Sequence, residues 1–281
     1  MAQNGVRIGG LIARSAAVLV AAALAPLPAL AGAWTLNEGS GQAIVTTSYY
    51  VTADRFDGDR HRVSGTRFEK VLINPYMEYG VTDGITLGLS PQFEFLQNHV
   101  GDGRIDRTNG FGDVETFARG RIWHDDWSVL SVQGLILAPT GYDDARSPAL
   151  GYGHVDLEGR VLYGLSGKLA DTTWYTNLET GLRKRYGPPA DEARIDLSFG
   201  WRPAPDWLLL AQSFNTLGLR NATGSTAAQQ NGPDYDSFKL QLSAVYSLSE
   251  RVGLQAGGWR ELGGRNAGAG NGVLFALWLN F

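Results

Sequence analysis

Along most of this chain, apolar side chains recur at every second position. The pattern is plainest in Val273, Phe275, Leu277, Leu279 and Phe281. A period of two is the repeat of a β-strand with one face against an apolar environment. Alternation bounded by turn residues predicts twelve strands. They span 41–53, 68–81, 84–97, 111–123, 127–138, 151–163, 172–186, 192–202, 206–217, 236–248, 251–262 and 272–281. Most run to roughly ten to fourteen residues, enough for a tilted strand to cross a bilayer and longer than the usual soluble strand. Their connections alternate. Short ones fall at Thr82-Asp83-Gly84, His124-Asp125-Asp126, Leu165 to Asp171, Pro203-Ala204-Pro205 and Ser249-Glu250, with mostly longer Gly-, Asp-, Asn- and Arg-rich ones between them. That order is expected of an all-β antiparallel barrel in the outer membrane, with tight periplasmic turns, longer outer loops and both termini on the periplasmic side. Pro75 and Pro91 fall inside predicted strands and mark bulges or boundaries there.

The two faces of the strands differ in character. Val114, Thr116, Ala118, Gly120 and Ile122 alternate with Asp113, Glu115, Arg119 and Arg121, and Val155, Leu157, Gly159, Val161 and Tyr163 alternate with His154, Asp156, Glu158 and Arg160. Ile195, Leu197 and Phe199 are interleaved with Arg194 and Asp196, and Phe238, Leu240, Leu242 and Ala244 with Lys239, Gln241 and Ser243. Strand length and the terminal phenylalanine put the apolar face in lipid and the charged face in the lumen. The expected lumen set is Glu78, Glu94, Asp113, Glu115, Arg119, Arg121, His154, Asp156, Glu158, Arg160, Glu179, Arg194, Asp196 and Lys239. A twelve-stranded cylinder tilted near 40° is on the order of 24 Å across its backbone, and side chains leave about half of that. Such a lumen either passes small solutes selectively or is filled by a charge ladder that holds the barrel rigid. Tyr76, Phe117 and Tyr175 are candidates to line a path for aromatic solutes. Trp123, Trp127, Trp174, Trp201, Trp207 and Trp278 lie near the proposed periplasmic side and are expected to form an aromatic girdle.

At the N terminus, Arg7 and Arg14 precede the apolar run from Ala16 to Ala25, and Ala29-Leu30-Ala31 and Ala31-Gly32-Ala33 fit a small-x-small cleavage pattern. Residues 1–31 are therefore read as a signal peptide and 32–281 as the outer-membrane barrel. Trp34 to Ser40, ahead of the first strand, are expected to form a periplasmic tail, with a plug or gate inside the lumen as the alternative.

Composition removes several classes of function. The chain has 37 Gly, 8 Trp, 11 Tyr, 2 Met and no Cys, so thiolate metal sites and disulfides are excluded and turns and aromatic strands are favoured. A formal charge of −4 gives no support for nucleic-acid binding. None of His61, His99, His124 and His154 stands in the local serine pattern of the outer-membrane phospholipases, so an enzyme is not expected and a hydrolase is the least favoured reading. The row His154, Asp156, Glu158 is flanked by arginines that would repel a metal ion, and no cofactor is called for.

Glu38-Gly39-Ser40-Gly41-Gln42 leading to Tyr49-Tyr50, then Tyr79-Gly80-Val81-Thr82-Asp83-Gly84-Ile85-Thr86-Leu87-Gly88-Leu89, then Gly110-Phe111-Gly112-Asp113-Val114-Glu115 resemble the outer-membrane family labelled "MetA-pathway of phenol degradation". The resemblance implies a transporter-like barrel and uptake of hydrophobic or aromatic compounds, and carries no catalytic or ligand residues. The expected function is a passive channel or facilitator for a small solute, with a non-conducting structural or surface-binding barrel as the alternative. Expected partners are outer-membrane lipid, the barrel assembly machinery through the C-terminal strand, and the solute.

Overall fold

The structure is a computed structural model, and it describes residues 32–224 and 231–281. The expected signal peptide, 1–31, lies outside the described residues. The strands are β1 (Gly41–Phe56), β2 (Arg62–Thr82), β3 (Ile85–His99), β4 (Ile105–His124), β5 (Ser128–Pro139), β6 (Asp156–Leu169), β7 (Thr172–Arg185), β8 (Glu192–Ala204), β9 (Trp207–Gly218), β10 (Asp236–Ser247), β11 (Val252–Arg265), the two-residue β12 (Ala267–Gly268) and β13 (Asn271–Asn280). The twelve long strands form one antiparallel sheet in which each pairs with its sequence neighbours, and β1 pairs with both β2 and β13. The C-terminal strand lies along β1 from Asn280 opposite Gln42 to Asn271 opposite Val51, so the sheet closes and leaves no open edge.

Several strands extend past their predicted ends. The polar stretches 62–67 and 105–110 continue β2 and β4 as ladders, so two predicted outer loops are shorter than expected. Only Ala170 and Asp171 separate β6 from β7, where a longer turn was predicted. Conversely, β6 begins at Asp156, five residues later than the alternation suggested. Pro75 and Pro91 prove to be one feature. Registered pairs stop at Ile73–Phe93 and resume at Met77–Leu89, which sets the two prolines opposite each other where neither can donate to the ladder. Asn74 compensates with its side-chain amide, which donates to the Ser90 hydroxyl (2.8 Å) and the Pro91 carbonyl (2.9 Å). The register of β3 on β4 shifts at Pro91/Phe93.

Side-chain exposure separates the faces. Phe275 (66% exposed), Leu182, Leu242, Val161 and Ile136 point outward, while Glu94 (1%), Arg119, Glu158 and Glu192 are buried inside. A polar interior behind an apolar exterior is the arrangement of a barrel whose solvent is lipid. Trp123, Trp127, Trp201 and Trp207 are exposed beside short turns, as an interfacial girdle requires. Trp278 departs from the expected girdle. It shares the inward face of β13 with Leu274 and Ala276, is 5% exposed, and donates its indole N–H to Gln255 Oε1 (2.8 Å). In the β4–β5 turn the Asp125 carboxylate accepts from the Trp127 and Ser128 N–H groups (2.8 Å each) and the Ser128 hydroxyl (2.9 Å). These donors, the Trp127 amide first, hold its pKa below the ordinary aspartate value.

The segment before β1 corrects the expectation of a periplasmic tail, because it folds into the barrel. The Ala33 N–H donates to Asn177 Oδ1 (3.2 Å), and the Ala33 carbonyl accepts from the Ser131 hydroxyl (2.5 Å). The Trp34 carbonyl accepts from Arg119 (3.0 Å), and the Leu36 N–H reaches the Thr86 hydroxyl (2.8 Å). Asp83, in the short β2–β3 turn, fixes the segment at its periplasmic side by accepting from the Thr35 hydroxyl and the Glu38 N–H. The Trp34 ring stands edge-on to Tyr175 with centroids 6.1 Å apart. Two glycines make room: a Cβ on Gly164 would lie 2.5 Å from the Trp34 ring, and one on Gly80 would lie 2.1 Å from the Asn37 carbonyl oxygen. Since the Gly80 neighbour is backbone, Gly80→Val is expected to expel residues 32–40 while the barrel still closes. Limited proteolysis should then cut within 32–40, with heat-modifiable gel migration unchanged.

Candidate functional site: the barrel interior

The inward positions of β6, β7 and β8 build a three-strand ladder of charges. Register sets Asp156 opposite Arg185, Glu158 opposite Arg183, Arg183 opposite Glu192 and Glu179 opposite Asp196. Glu158 is the hub. It binds the Arg160 guanidinium, accepts from Arg183 Nε at 2.5 Å, and lies 3.8 Å from Arg194. Arg160 reaches on to Glu179 and Asp196, both at 3.0 Å. Arg185 pairs with Glu192 (3.0 Å) and faces Asp156 at 3.4 Å, and Arg194 pairs with Glu192 at 2.8 Å. Arg183 lies 3.8 Å from Glu115 of β4, a strand that is not its neighbour, so the network spans the interior. Opposite signs face each other across Asp156–Arg185 and Glu158–Arg183–Glu192, and the like-signed pair Glu179–Asp196 is bridged by Arg160, so each of these buried charges meets an opposite one.

A second cluster holds the inserted segment. Arg119, 3% exposed, is 2.9 Å from Glu78 and also meets Gln133 (3.1 Å), the Tyr76 hydroxyl (3.4 Å) and the Trp34 carbonyl. Tyr76 donates to Glu78 (2.5 Å) and stacks on Phe117, centroids 5.8 Å apart. Beneath them Tyr175, Leu208, Leu210, Val245, Ala276 and Trp278 form an apolar cluster on which Trp34 packs. Toward the outer side Glu94 pairs with Lys70 (2.5 Å), and Asp113 accepts from the Tyr142 hydroxyl (2.5 Å). Over the outer mouth, buried Asp236 gathers Arg60 (2.6 Å) from the β1–β2 connection, Arg220 (3.0 Å) from the β9–β10 connection and Arg265 (3.5 Å) from the end of β11.

The remaining residues of the expected lumen set are placed differently. Arg121 is half-buried beside the β4–β5 turn and forms no ion pair among the described residues. His154 belongs to the β5–β6 loop rather than to the row of Asp156 and Glu158, and its ring lies against Gly187. Lys239 sits with its ammonium 4.5 Å from the Phe214 ring centroid and 5.8 Å from that of Trp259. His99 is 3.0 Å from Glu69. Among the described residues no group of three or more potential metal ligands occurs.

Residues that sequence reasoning passed over include Arg183, Arg185, Glu192, Lys70, Glu261 and Asp236. Arg183 and Arg185 continue the inward row Tyr175, Asn177, Glu179, Gly181, so the period of two contained that signal. Asp236 carried none, since its role comes from loops distant in sequence.

Cavities lie along the interior among the described residues. One of about 230 Å³ is near the outer side, bordered by Lys70, Glu94, Lys239 and Trp259. Another, of about 210 Å³, is bordered by Gly32, Tyr76, Arg160 and Asp196, and a third, of about 350 Å³, opens at the periplasmic end beside Arg202 and Trp278.

Removing one partner of a buried pair leaves the other charge uncompensated. Arg119→Leu is therefore expected to cost roughly 3–5 kcal/mol through the stranded Glu78. Urea unfolding in lipid vesicles measures this, and adding Glu78→Leu should recover much of the loss. Arg121→Leu should shift the transition far less.

The architecture matches a solved outer-membrane barrel. The "COG4313 outer membrane channel from Pseudomonas putida F1" superposes with a TM-score of 0.68 at 15% identity, over 90% of this chain and 99% of that one. The KdgM porin and the NanC porin give 0.47 and 0.48, at 8% and 10% identity, each over 84% of this chain and over 99% and 98% of their own. No curated protein matches the sequence. Residues 28–277 match the family described as "Putative MetA-pathway of phenol degradation", and the chain, a closed outer-membrane β-barrel, belongs to that family.

Proposed function

We propose that this protein is a passive outer-membrane channel for a small solute, aromatic or hydrophobic in its finer reading, and that residues 32–40 close the channel at its periplasmic side. The observation that carries this reading is how the inserted segment is held. Its inward end is held by the Ala33 N–H on Asn177, the Ser131 hydroxyl on the Ala33 carbonyl, Arg119 on the Trp34 carbonyl and the Leu36 N–H on Thr86, and by one tryptophan in an apolar socket. A segment secured this way is separable from the wall, whereas a barrel filled only by wall side chains is not. Cavities on both sides of it, beside Tyr76 and beside Trp278, give a solute somewhere to stand before and after passage. Tyr76, Phe117 and Tyr175 supply a flat aromatic wall next to the segment. The chemistry required is displacement and diffusion, so we assign no catalytic residue and no energy source.

The dense ladder of β6 to β8 favours a second reading, a rigid barrel that does not conduct. The two differ in one experiment. Deleting residues 32–40 from the mature protein should raise single-channel conductance in planar bilayers severalfold above wild type. A folded deletion variant that stays silent would exclude the channel and support the rigid barrel. The C-terminal strand, apolar outward from Val273 to Phe281, is proposed as the segment recognised by the barrel assembly machinery.

A further inference from the structure

Most basic side chains inside the barrel have a carboxylate at contact distance, and Lys239 does not. Arg160, Arg183, Arg185 and Arg194 are each within 3.0 Å of at least one acidic oxygen, and Lys70 is 2.5 Å from Glu94. Lys239 is half-buried on the inward face of β10 just past the register shift at Phe238, and among the described residues it makes no ion pair and no hydrogen bond. The undescribed stretch 225–230 contains no acidic residue to provide one. Its ladder partner is Glu261, but that carboxylate accepts from the Tyr50 hydroxyl at 2.5 Å and from the Gly270 N–H at 2.9 Å. The ammonium is left over aromatic faces, those of Phe214 and Trp259. Cation–π contact offsets part of its lost hydration and leaves its hydrogen-bond donors unused.

Lys239 borders the outer cavity of about 230 Å³. The apolar walls of that cavity are Tyr50, Phe68, Leu96 and Trp259, with the Tyr50 and Phe68 rings 6.4 Å apart and inclined at 58°. The volume falls below the roughly 300 Å³ at which sites for drug-sized ligands begin, so it suits one ring. The other charged groups on the wall, Lys70 with Glu94 and Glu261 with Tyr50, already have partners. A sugar would bring many polar groups to few free ones. A flat apolar body with one anionic end uses the aromatic wall together with the ammonium of Lys239, which has no ion pair among the described residues.

We propose that this outer cavity is a binding subsite for a single-ring aromatic carboxylate, its ring against Trp259 and Phe68 and its carboxylate on the Lys239 ammonium. The proposal deepens the channel reading and depends on it only for its role in passage. Binding is measurable whether or not the barrel conducts. Glu94 keeps its partner Lys70 and Glu261 keeps the Tyr50 hydroxyl and the Gly270 N–H, so the incoming carboxylate displaces neither.

The test is calorimetric titration of benzoate into the refolded mature protein in detergent, against empty micelles, with benzamide and acetate as the neutral and ringless controls. Saturable one-to-one binding of benzoate, tighter than of either control, is expected. Lys239→Met, which keeps the apolar stem, should weaken it roughly tenfold or more. Trp259→Leu should weaken it as well, and serves alone if Lys239→Met lacks the heat-modifiable migration of a closed barrel. Equal affinity for benzamide, unchanged affinity in either folded variant, or no saturable benzoate binding by the folded wild type would overturn the proposal. Benzoate binding in a protein that never conducts would keep the subsite and remove the channel.

Discussion

The pairing of β1 with β13 is the contact on which the rest of this structure depends, because a sheet in lipid has no water to satisfy an open edge. Each unpaired backbone group in hydrocarbon costs several kcal/mol, so a spanning sheet either closes or does not persist. Ten residue pairs join the last strand to the first, and β1 carries β2 on its other side. Once the sheet is closed, each strand has one face in lipid and one inside. The period of two then decides the environment of every side chain, and a single register slip would exchange the faces. This is why the bulges matter. The paired prolines at 75 and 91 remove ladder donors at one height on neighbouring strands, and Asn74 supplies the lost hydrogen bonds from its side chain.

Closure also creates the electrostatic problem that the interior solves. A narrow cylinder removes inward charges from bulk water on all sides, so each must find a partner across its own ladder or across the lumen. On β6, β7 and β8 opposite charges face each other at most levels and Arg160 bridges the two acids where they do not, and Glu158 with three guanidinium groups around it shows how closely the set is coupled. The cost of such pairing is rigidity. The proposed function draws on places where pairing is incomplete or reversible: the N-terminal segment, held by hydrogen bonds and one aromatic contact, and Lys239 on its aromatic platform.

These two places lie at different heights, and that gives the interior a direction. The outer cavity carries Lys239, the middle one borders the inserted segment at Gly32, and the periplasmic one opens beside Arg202. Arg60, Arg220 and Arg265 on Asp236 tie two outer connections to the outer ends of β10 and β11.

Local chemistry alone determined much of this. Strand number, antiparallel order and the inward row from Glu115 to Arg119 follow from alternation, since side-chain direction in a strand depends only on parity along the chain. Arg183 and Arg185 obeyed the same rule and were legible in principle. Trp278 shows how parity overrules a residue's general preference for the interface, because neighbours at 277 and 279 claim the lipid face. His154 shows the limit of extending alternation past the end of a strand. Only the closed barrel decided the rest. The insertion of Trp34 depends on the space above Gly164, on the Asn37 backbone passing Gly80, and on hydrogen bonds to strands β3, β4, β5 and β7. Which charges pair across the lumen, and that Lys239 is left without a carboxylate, likewise require distances between strands far apart in sequence. A one-dimensional pattern fixes which way a side chain points, and three-dimensional closure fixes what it meets there.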